Sequence, residues 1–301
     1  MPDEIHAISA NDLRGKSASE ALRIGAGFLH RSETPLLDAR VLLKHALETD
    51  EAGLIVRAQE NLSGEACARF ADFLIRRNYG EPVAYITGVK EFWSLPFLVT
   101  PDVLIPRNDS ECLIETAASR RDRREKLRLL DLGTGSGCLL CALLSEFENS
   151  AGVGVDHSTA AISAARQNAE RLGLADRAEF LNGDWLAPVG GAFDVIIANP
   201  PYVPEGDRTG LARDVSHFEP SSALFAGEDG LDEFRRILPD IGEYLAADGL
   251  ILMECGFDQT DRLSGLAHIA GFSGCETFTM HDLAGRPRGV GIDRRKSQKK
   301  D

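Results

Sequence analysis

The chain has 301 residues, 43% hydrophobic and 27% charged, an ordinary globular composition that can bury a core without disulfide or metal staples in one large domain or two. No apolar run approaches the roughly 18 residues needed to span a bilayer, and the acidic start Met1-Pro2-Asp3-Glu4-Ile5-His6 has no signal-type hydrophobic stretch, so a cytoplasmic protein with no membrane partner is expected. The formal net charge of −14 argues against tight non-specific binding of nucleic acid, which needs many Lys and Arg contacts to phosphate, and leaves room for a basic protein partner.

Residues 1–80 read as helices. Ser17-Ala18-Ser19-Glu20 is a capping-box pattern ahead of Ala21, Leu22, Ile24, Phe28 and Leu29. Pro35 suits a first helical position and is followed at helical spacing by Leu36, Leu37, Val41, Leu42, Leu43, Ala46 and Leu47. A third helix is expected over 64–78, with Gly80 near its end. Together they predict a small N-terminal helical bundle that carries no catalytic motif. Over 81–107 the character changes: Phe92-Trp93, Phe97-Leu98-Val99 and Val103-Leu104-Ile105 are short β-like runs broken by Pro96, Pro101 and Pro106, which predicts a linking β-hairpin.

From Leu127 onward, strand and helix signals alternate. Strands are expected at 127–132, 151–156, 178–183, 193–198, 249–255, 273–280 and 288–293, and helices at 136–147, 158–172, 230–246 and 258–270. Such alternation implies an α/β fold, an open and mostly parallel sheet with helices on both faces, whose ligands bind beyond the carboxyl ends of the strands. The domain plan is therefore 1–80 helical, 81–107 hairpin linker, 108–294 catalytic, and 295–301 a basic tail. The run Arg294-Arg295-Lys296-Ser297-Gln298-Lys299-Lys300 reads as a solvated end.

Chemistry gathers at the predicted strand ends. The first strand opens into Asp131-Leu132-Gly133-Thr134-Gly135-Ser136-Gly137, where glycines permit positive φ and close approach of backbone to a ligand. Asp156 ends the next strand, where an acid can accept from both hydroxyls of a ribose. A nicotinamide fingerprint would need a third glycine where Cys138 stands. The G-x-G-x-G spacing, with Asp131 two residues ahead, suits S-adenosyl-L-methionine instead. Cys138-Leu139-Leu140-Cys141 formally reads C-x-x-C, but no second pair or nearby His cluster completes a zinc site. The two thiols read as small core hydrophobes, and no metal is expected.

After Phe193-Asp194-Val195-Ile196-Ile197-Ala198 comes Asn199-Pro200-Pro201-Tyr202. Each proline fixes its own φ and holds the residue before it extended. The Asn199 side-chain oxygen and the Pro200 carbonyl can then accept both hydrogens of one N–H₂, with Tyr202 against the flat group that carries it. Fixing both hydrogens weakens amide conjugation, whose strength is seen in the ~18–20 kcal/mol rotation barrier. The nitrogen lone pair is thereby directed at a sulfonium methyl for in-line displacement, with no His or carboxylate base required.

Residues 82–254 resemble the PrmC/HemK family of N5-glutamine methyltransferases of peptide chain release factors. The resemblance is carried by Glu81-Pro82-Val83-Ala84-Tyr85-Ile86-Thr87-Gly88, Glu91-Phe92-Trp93-Ser94-Leu95-Pro96-Phe97 and Val103-Leu104-Ile105-Pro106-Arg107. It continues through the glycine loop, Asn199–Tyr202 and Glu219-Pro220 to Gly230-Leu231. The family reads I-P-R-P-(D/E)-T-E where this chain has Ile105-Pro106-Arg107-Asn108-Asp109-Ser110-Glu111.

The resemblance implies a Rossmann-like class I S-adenosylmethionine-dependent methyltransferase sheet. The cofactor would be held by Asp131, Gly133, Thr134, Gly135, Ser136, Gly137, Asp156, Asp184, Trp185 and Asn199. The adenine would lie on Trp185 with its amino group donating to Asp184, unless Trp185 merely closes the core. Asn199, Pro200, Pro201 and Tyr202 would form the catalytic glutamine pocket. The implied partners are release factors 1 and 2, with residues 1–80 recognising them, no direct nucleic acid, and a monomeric enzyme. Two other substrates compete, a glutamine of a large-subunit ribosomal protein and the N6 amine of adenine in DNA. The Phe92–Pro96 hairpin favours the release-factor branch over the first. The net charge and the lack of a basic, aromatic-rich recognition segment oppose the second.

Overall fold

The structure, a computed structural model, describes residues 8–295. These form two compact units. One comprises the described residues up to Gly88 together with Ala212–Phe218, and the other Val89–Leu211 together with Glu219 and the described residues beyond it.

The first unit is helical. Helices Ala18–Phe28, Pro35–Ala46 and Gly64–Asn78 stand where capping and periodicity put them, accompanied by the shorter Ala10–Leu13, Glu51–Val56 and Val83–Thr87. The Ser17 box closes in both directions, Ser17 N–H donating to Glu20 Oε2 at 2.9 Å and Glu20 N–H to Ser17 Oγ at 3.3 Å. Leu13, Leu42, Leu43, Phe70 and Leu74 are fully buried between the helices. Buried Asp38 is satisfied by the hydroxyls of Ser32 and Thr34 and by Arg77 Nε at 2.6 Å.

The segment expected to be one hairpin linker over 81–107 is divided. Pro82 starts the helix Val83–Thr87, which ends at Gly88 with φ 71° and belongs to the helical unit. The hairpin proper is β1 (Val89–Phe92) with β2 (Leu95–Leu98), antiparallel, in the second unit. Trp93, expected in a strand, is instead in the turn with Ser94, at φ 52° and 58°. Positive φ at both central residues matches the twist of a two-residue hairpin. Trp93 is held there by its backbone N–H on Glu111 Oε1 (3.1 Å) and its indole N–H on Glu146 Oε1 (2.7 Å). Val103–Ile105 is irregular rather than a strand, because the Ile105 N–H donates to the buried Glu219 carboxylate at 3.0 Å and not to a ladder.

The second unit is built on seven strands: β3 (Arg128–Leu132), β4 (Ala151–Asp156), β5 (Ala178–Asn182), β6 (Phe193–Ala198), β7 (Leu245–Glu254), β8 (Glu276–His281) and β9 (Pro287–Asp293). Their order is β5-β4-β3-β6-β7-β9-β8, parallel from β5 to β7, with β9 antiparallel to both β7 and β8. This is the expected Rossmann-like α/β sheet. Strand alternation sorts the side chains onto its two faces. Leu129, Val195, Ile197, Leu250 and Leu252 pack with helices Glu111–Arg120, Cys138–Glu146 and Thr159–Arg171. Leu130, Leu132, Ile196, Ala198, Ile251 and Met253 pack with helices Asp232–Ile241 and Thr260–Ile269.

The helix expected over 230–246 stops at Ile241, and β7 begins earlier than expected, at Leu245. A register shift between Phe193 and Val195 lets residues 246–249, expected to divide between the helix end and the strand start, bulge within the strand. Arg294 and Arg295, taken with the basic tail, are anchored instead. Arg294 donates to the carbonyls of Leu245 and Gly242, and Arg295 to Glu125. Lys296–Asp301, the rest of that run, lies outside the described residues.

Candidate active site

A cavity of about 860 Å³ lies at the carboxyl ends of the parallel strands, where an open sheet of this kind binds ligands. Its walls include Gly133–Ser136 after β3, Asp156 at the end of β4, Asp184 and Trp185 after β5, and Asn199 and Pro201 after β6. Pro101–Leu104, Pro106, Arg107 and Ser110 complete it on the hairpin side.

The loop keeps its shape through its glycines, at φ 74°, 54° and 78° for Gly133, Gly135 and Gly137. A Cβ on Gly137 would stand 3.1 Å from Ala165 Cβ and 3.2 Å from its Cα, so the helix Thr159–Arg171 could not pack as it does. Asn168 on that helix is fully buried and makes three bonds. Its Oδ1 accepts the Leu98 N–H (2.7 Å), and its Nδ2 donates to the Leu98 and Ser136 carbonyls (3.0 and 2.9 Å).

Two of the cofactor residues expected from the motif do not face the cavity. Gly137 lies behind the loop. Asp131 is fully buried beneath it, accepting from the Thr134 hydroxyl at 2.7 Å through Oδ2, while Oδ1 has no partner. Asp131 therefore shapes the loop rather than lining the cavity. Burial pushes its carboxyl up to about 7, against the lowering effect of the Thr134 bond. Between about pH 4 and about pH 7 the fold then keeps a proton that the unfolded chain has released, so this group's contribution to stability declines as pH rises through that window. Asp131→Asn should lack the decline. The gap between its unfolding midpoint and the parent's should shift in the variant's favour from about pH 4.5 to about pH 7.5, and a gap independent of pH would mean that the carboxyl is charged in the fold.

Asp156 lines the cavity with both oxygens engaged. Oδ2 accepts the Gly135 N–H and Oδ1 the Ser158 N–H, each at 2.9 Å, and lone pairs remain for a ligand because a carboxylate has about four acceptor sites. Trp185 has φ 46° and lays its ring beside Gly133, its indole N–H donating to Glu233 at 2.8 Å. Asp184 reaches the cavity with its carboxylate paired to Arg236 at 2.6 Å. An adenine amino group would have to share it with that guanidinium.

Of the Asn-Pro-Pro-Tyr residues, Asn199 and Pro201 line the cavity, and Pro200 and Tyr202 do not. Tyr202 turns its hydroxyl to Glu254 Oε1 at 3.1 Å, and burial together with that carboxylate holds the phenol well above its usual range. Asn199 Nδ2 donates to Ser110 Oγ at 3.2 Å. Glu254 is itself buried. Burial pushes its carboxyl up to about 6 against the Ser110 and Tyr202 hydroxyls, which favour the charged form.

Sequence reasoning missed three residues that shape this site. Glu219, buried, holds the Ile105 N–H and ion-pairs with Arg107, fixing the stretch that forms one wall. Glu254 and Ser110 touch the Asn-Pro-Pro-Tyr residues directly. The signal for Glu254 was an acid at the end of the apolar run Leu250-Ile251-Leu252-Met253. Among the described residues, no group of His, Cys, Asp or Glu is placed to hold a metal, and no helix is long and apolar enough to cross a membrane.

A family model for the PrmC N-terminal domain matches residues 20–88, and one for the methyltransferase small domain matches 108–215. The chain is 40% identical over 281 residues to the release factor glutamine methyltransferase of Bradyrhizobium diazoefficiens, covering 92% of this chain and 94% of that one. It is 37% identical to the Escherichia coli enzyme of the same name, over 85% of this chain and 92% of that one. The solved structure of a release-factor-specific protein-(glutamine-N5) methyltransferase from Alicyclobacillus acidocaldarius is 26% identical over 66% of this chain and 100% of that one, at a TM-score of 0.41, too loose a superposition to add to the sequence match. With such identity sustained over nearly the whole of its relatives, the chain belongs to the release factor glutamine methyltransferase family.

Proposed function

We propose that this protein transfers a methyl group from S-adenosyl-L-methionine to the side-chain amide nitrogen N5 of the glutamine in the Gly-Gly-Gln motif of class 1 release factors, with release factors 1 and 2 as substrates. One observation carries the reading: Asn199 and Pro201 share a cavity with the glycine loop and Asp156. The cavity suits the cofactor. Gly135 leaves open space where a Cβ would stand, and Asp156 has acceptor capacity for ribose hydroxyls. Trp185 offers a flat apolar face. When bound, the cofactor supplies a methyl on a positively charged sulfur. Asn199 Oδ1 and the Pro200 carbonyl would each accept one hydrogen of the glutamine N–H₂. Their work is orientation of the nitrogen lone pair.

Asp156→Ala should weaken cofactor binding by roughly 1.5–3 kcal/mol, the worth of a charge-assisted hydrogen bond. Titration calorimetry measures it, and an unchanged Kd would remove Asp156 from the ribose site. The helical unit is assigned to recognition of the release factor. The test of the whole reading is incubation of the protein with labelled cofactor and, separately, a release factor, a ribosomal protein and a DNA duplex. Label on the Gly-Gly-Gln glutamine is expected, located by mass spectrometry. Label on the ribosomal protein or on adenine alone would replace the proposal.

A further inference from the structure

Glu233 has no part in that reading, yet it lines the cavity beside Trp185. It stands in the first turn of the helix Asp232–Ile241, with its side chain 21% exposed. One of its oxygens, Oε2, accepts two bonds. The Trp185 indole N–H donates to it at 2.8 Å, and Arg236 Nη1, one turn further along the helix, at 2.7 Å. Arg236 Nη2 in turn donates to both oxygens of Asp184, at 2.8 and 2.6 Å. Asp184 and Trp185 are neighbours after β5, so the four side chains close a ring between the end of that strand and the start of the helix. All four line the cavity.

The ring bears on how Trp185 stands. Its φ of 46° is a backbone setting that bulky residues avoid and that persists only where the surroundings impose it. The one polar atom of its side chain is the indole nitrogen, and Glu233 takes its hydrogen. The far edge of the indole rests on the glycine loop, where a Cβ on Gly133 would stand 3.2 and 3.4 Å from Cζ3 and Cη2. The backbone, the hydrogen bond and the loop contact together fix the plane of the ring. We propose that Glu233 is a positioning residue for the cofactor, holding the Trp185 indole N–H so that the flat face of the ring is set for the adenine. The inference rests on the assignment of Trp185 to the cofactor above. An acid in the first turn of a helix is favourable in any case, so stability does not separate a structural role from a positioning one, and cofactor affinity does.

The experiment uses the full-length protein and reads the Kd of S-adenosyl-L-methionine by titration calorimetry, with kcat and cofactor KM on release factor alongside. Trp185→Ala is expected to weaken binding roughly 5–150-fold, the span of base–aromatic stacking. Glu233→Ala is expected to weaken it at least about threefold, short of Trp185→Ala, with the loss in cofactor KM rather than in kcat. Glu233→Gln can put its amide oxygen where Oε2 stands and accept both bonds, so its Kd should stay within about threefold of the parent. Trp185→Phe keeps a flat face and has no N–H. In that background Glu233→Ala should change Kd by less than about threefold, because the interaction it removes is already gone.

The inference is overturned if Glu233→Ala binds within about threefold of the parent, or if Glu233→Gln binds as weakly as Glu233→Ala. It is overturned too if the loss persists undiminished beside Trp185→Phe, since the carboxylate would then act without the indole. Should Glu233→Ala fail to fold, Glu233→Leu, which keeps bulk and lacks an acceptor, replaces it in each comparison. Weak binding by Trp185→Ala beside parental binding by Glu233→Ala would leave the cofactor assignment of Trp185 standing and remove only this inference. Parental binding by Trp185→Ala would mean that the tryptophan merely closes the core, and would remove both. No protein substrate enters the calorimetry, so its result is independent of which protein is methylated.

Discussion

Asn199→Ala is expected to abolish practical turnover while leaving most of the cofactor affinity. Asn199 lines the cavity, and with its side-chain nitrogen committed to Ser110 its amide oxygen has no partner assigned within the Asn-Pro-Pro-Tyr group. Its contribution grows as the substrate nitrogen becomes positive and its hydrogens more acidic, so the loss falls on the transition state more than on binding. Removing one such preorganised partner costs roughly 2.7–4 kcal/mol, or about 10²–10³ in rate. The glycine loop and Asp156 do not depend on Asn199 for their hydrogen bonds. Single-turnover kinetics separates chemistry from product release. A near-normal rate there would mean that another group holds the glutamine.

The largest expected loss of stability is at the opposite end of β9. Asp293 is 4% exposed, and both its oxygens receive Arg121, itself 4% exposed, at 3.2 and 3.3 Å. Arg121 also donates to the carbonyls of Asp248 and Arg120, which ties the bulge of β7 to the end of the helix Glu111–Arg120. Asp293→Ala strands a buried guanidinium whose Nε already lacks a partner. Breaking a buried pair from one side costs roughly 3–5 kcal/mol, against a total of about 5–15 kcal/mol for a typical domain. Urea titration should show the midpoint falling sharply. Replacing both partners with apolar residues, Asp293→Leu with Arg121→Met, should recover most of it. If the single variant loses less than about 1 kcal/mol, the pair is solvated in practice and the burial argument fails.

The sheet was legible because β3, β4 and β6 combine an apolar run with a turn or cap signal at its end. The loop glycines and the two prolines mark strand ends by restricting the backbone, and they do so in any context. Less was legible where one distant contact overrides local preference. Trp93 favours a strand by type, yet Glu111 and Glu146 hold it in a left-handed turn. Val103–Ile105 has strand-forming residues, yet Glu219, far along the chain, takes the hydrogen bond that a ladder would have used. The helix Glu111–Arg120 went unread because Cys112, Leu113 and Ile114 are all buried in consecutive positions, which hides the amphipathic period. In the site, Gly133–Ser136, Asp156, Trp185 and Asn199, which line the cavity, were marked by motif. Ser110 and Glu254, which hydrogen-bond Asn199 and Tyr202, belong to other segments and meet them only in the fold.

Asn168 has a consequence for how the molecule breathes. One carboxamide fastens both the edge of β2 and the carbonyl of Ser136, so the hairpin cannot peel away without loosening the glycine loop. Detachment of the hairpin and occupation of the cavity are therefore linked equilibria, each changing the other by the same factor. Leu98 is absent from the cavity wall, yet its amide hydrogen should exchange with solvent more slowly once the loop is loaded, making it a remote gauge of ligand binding.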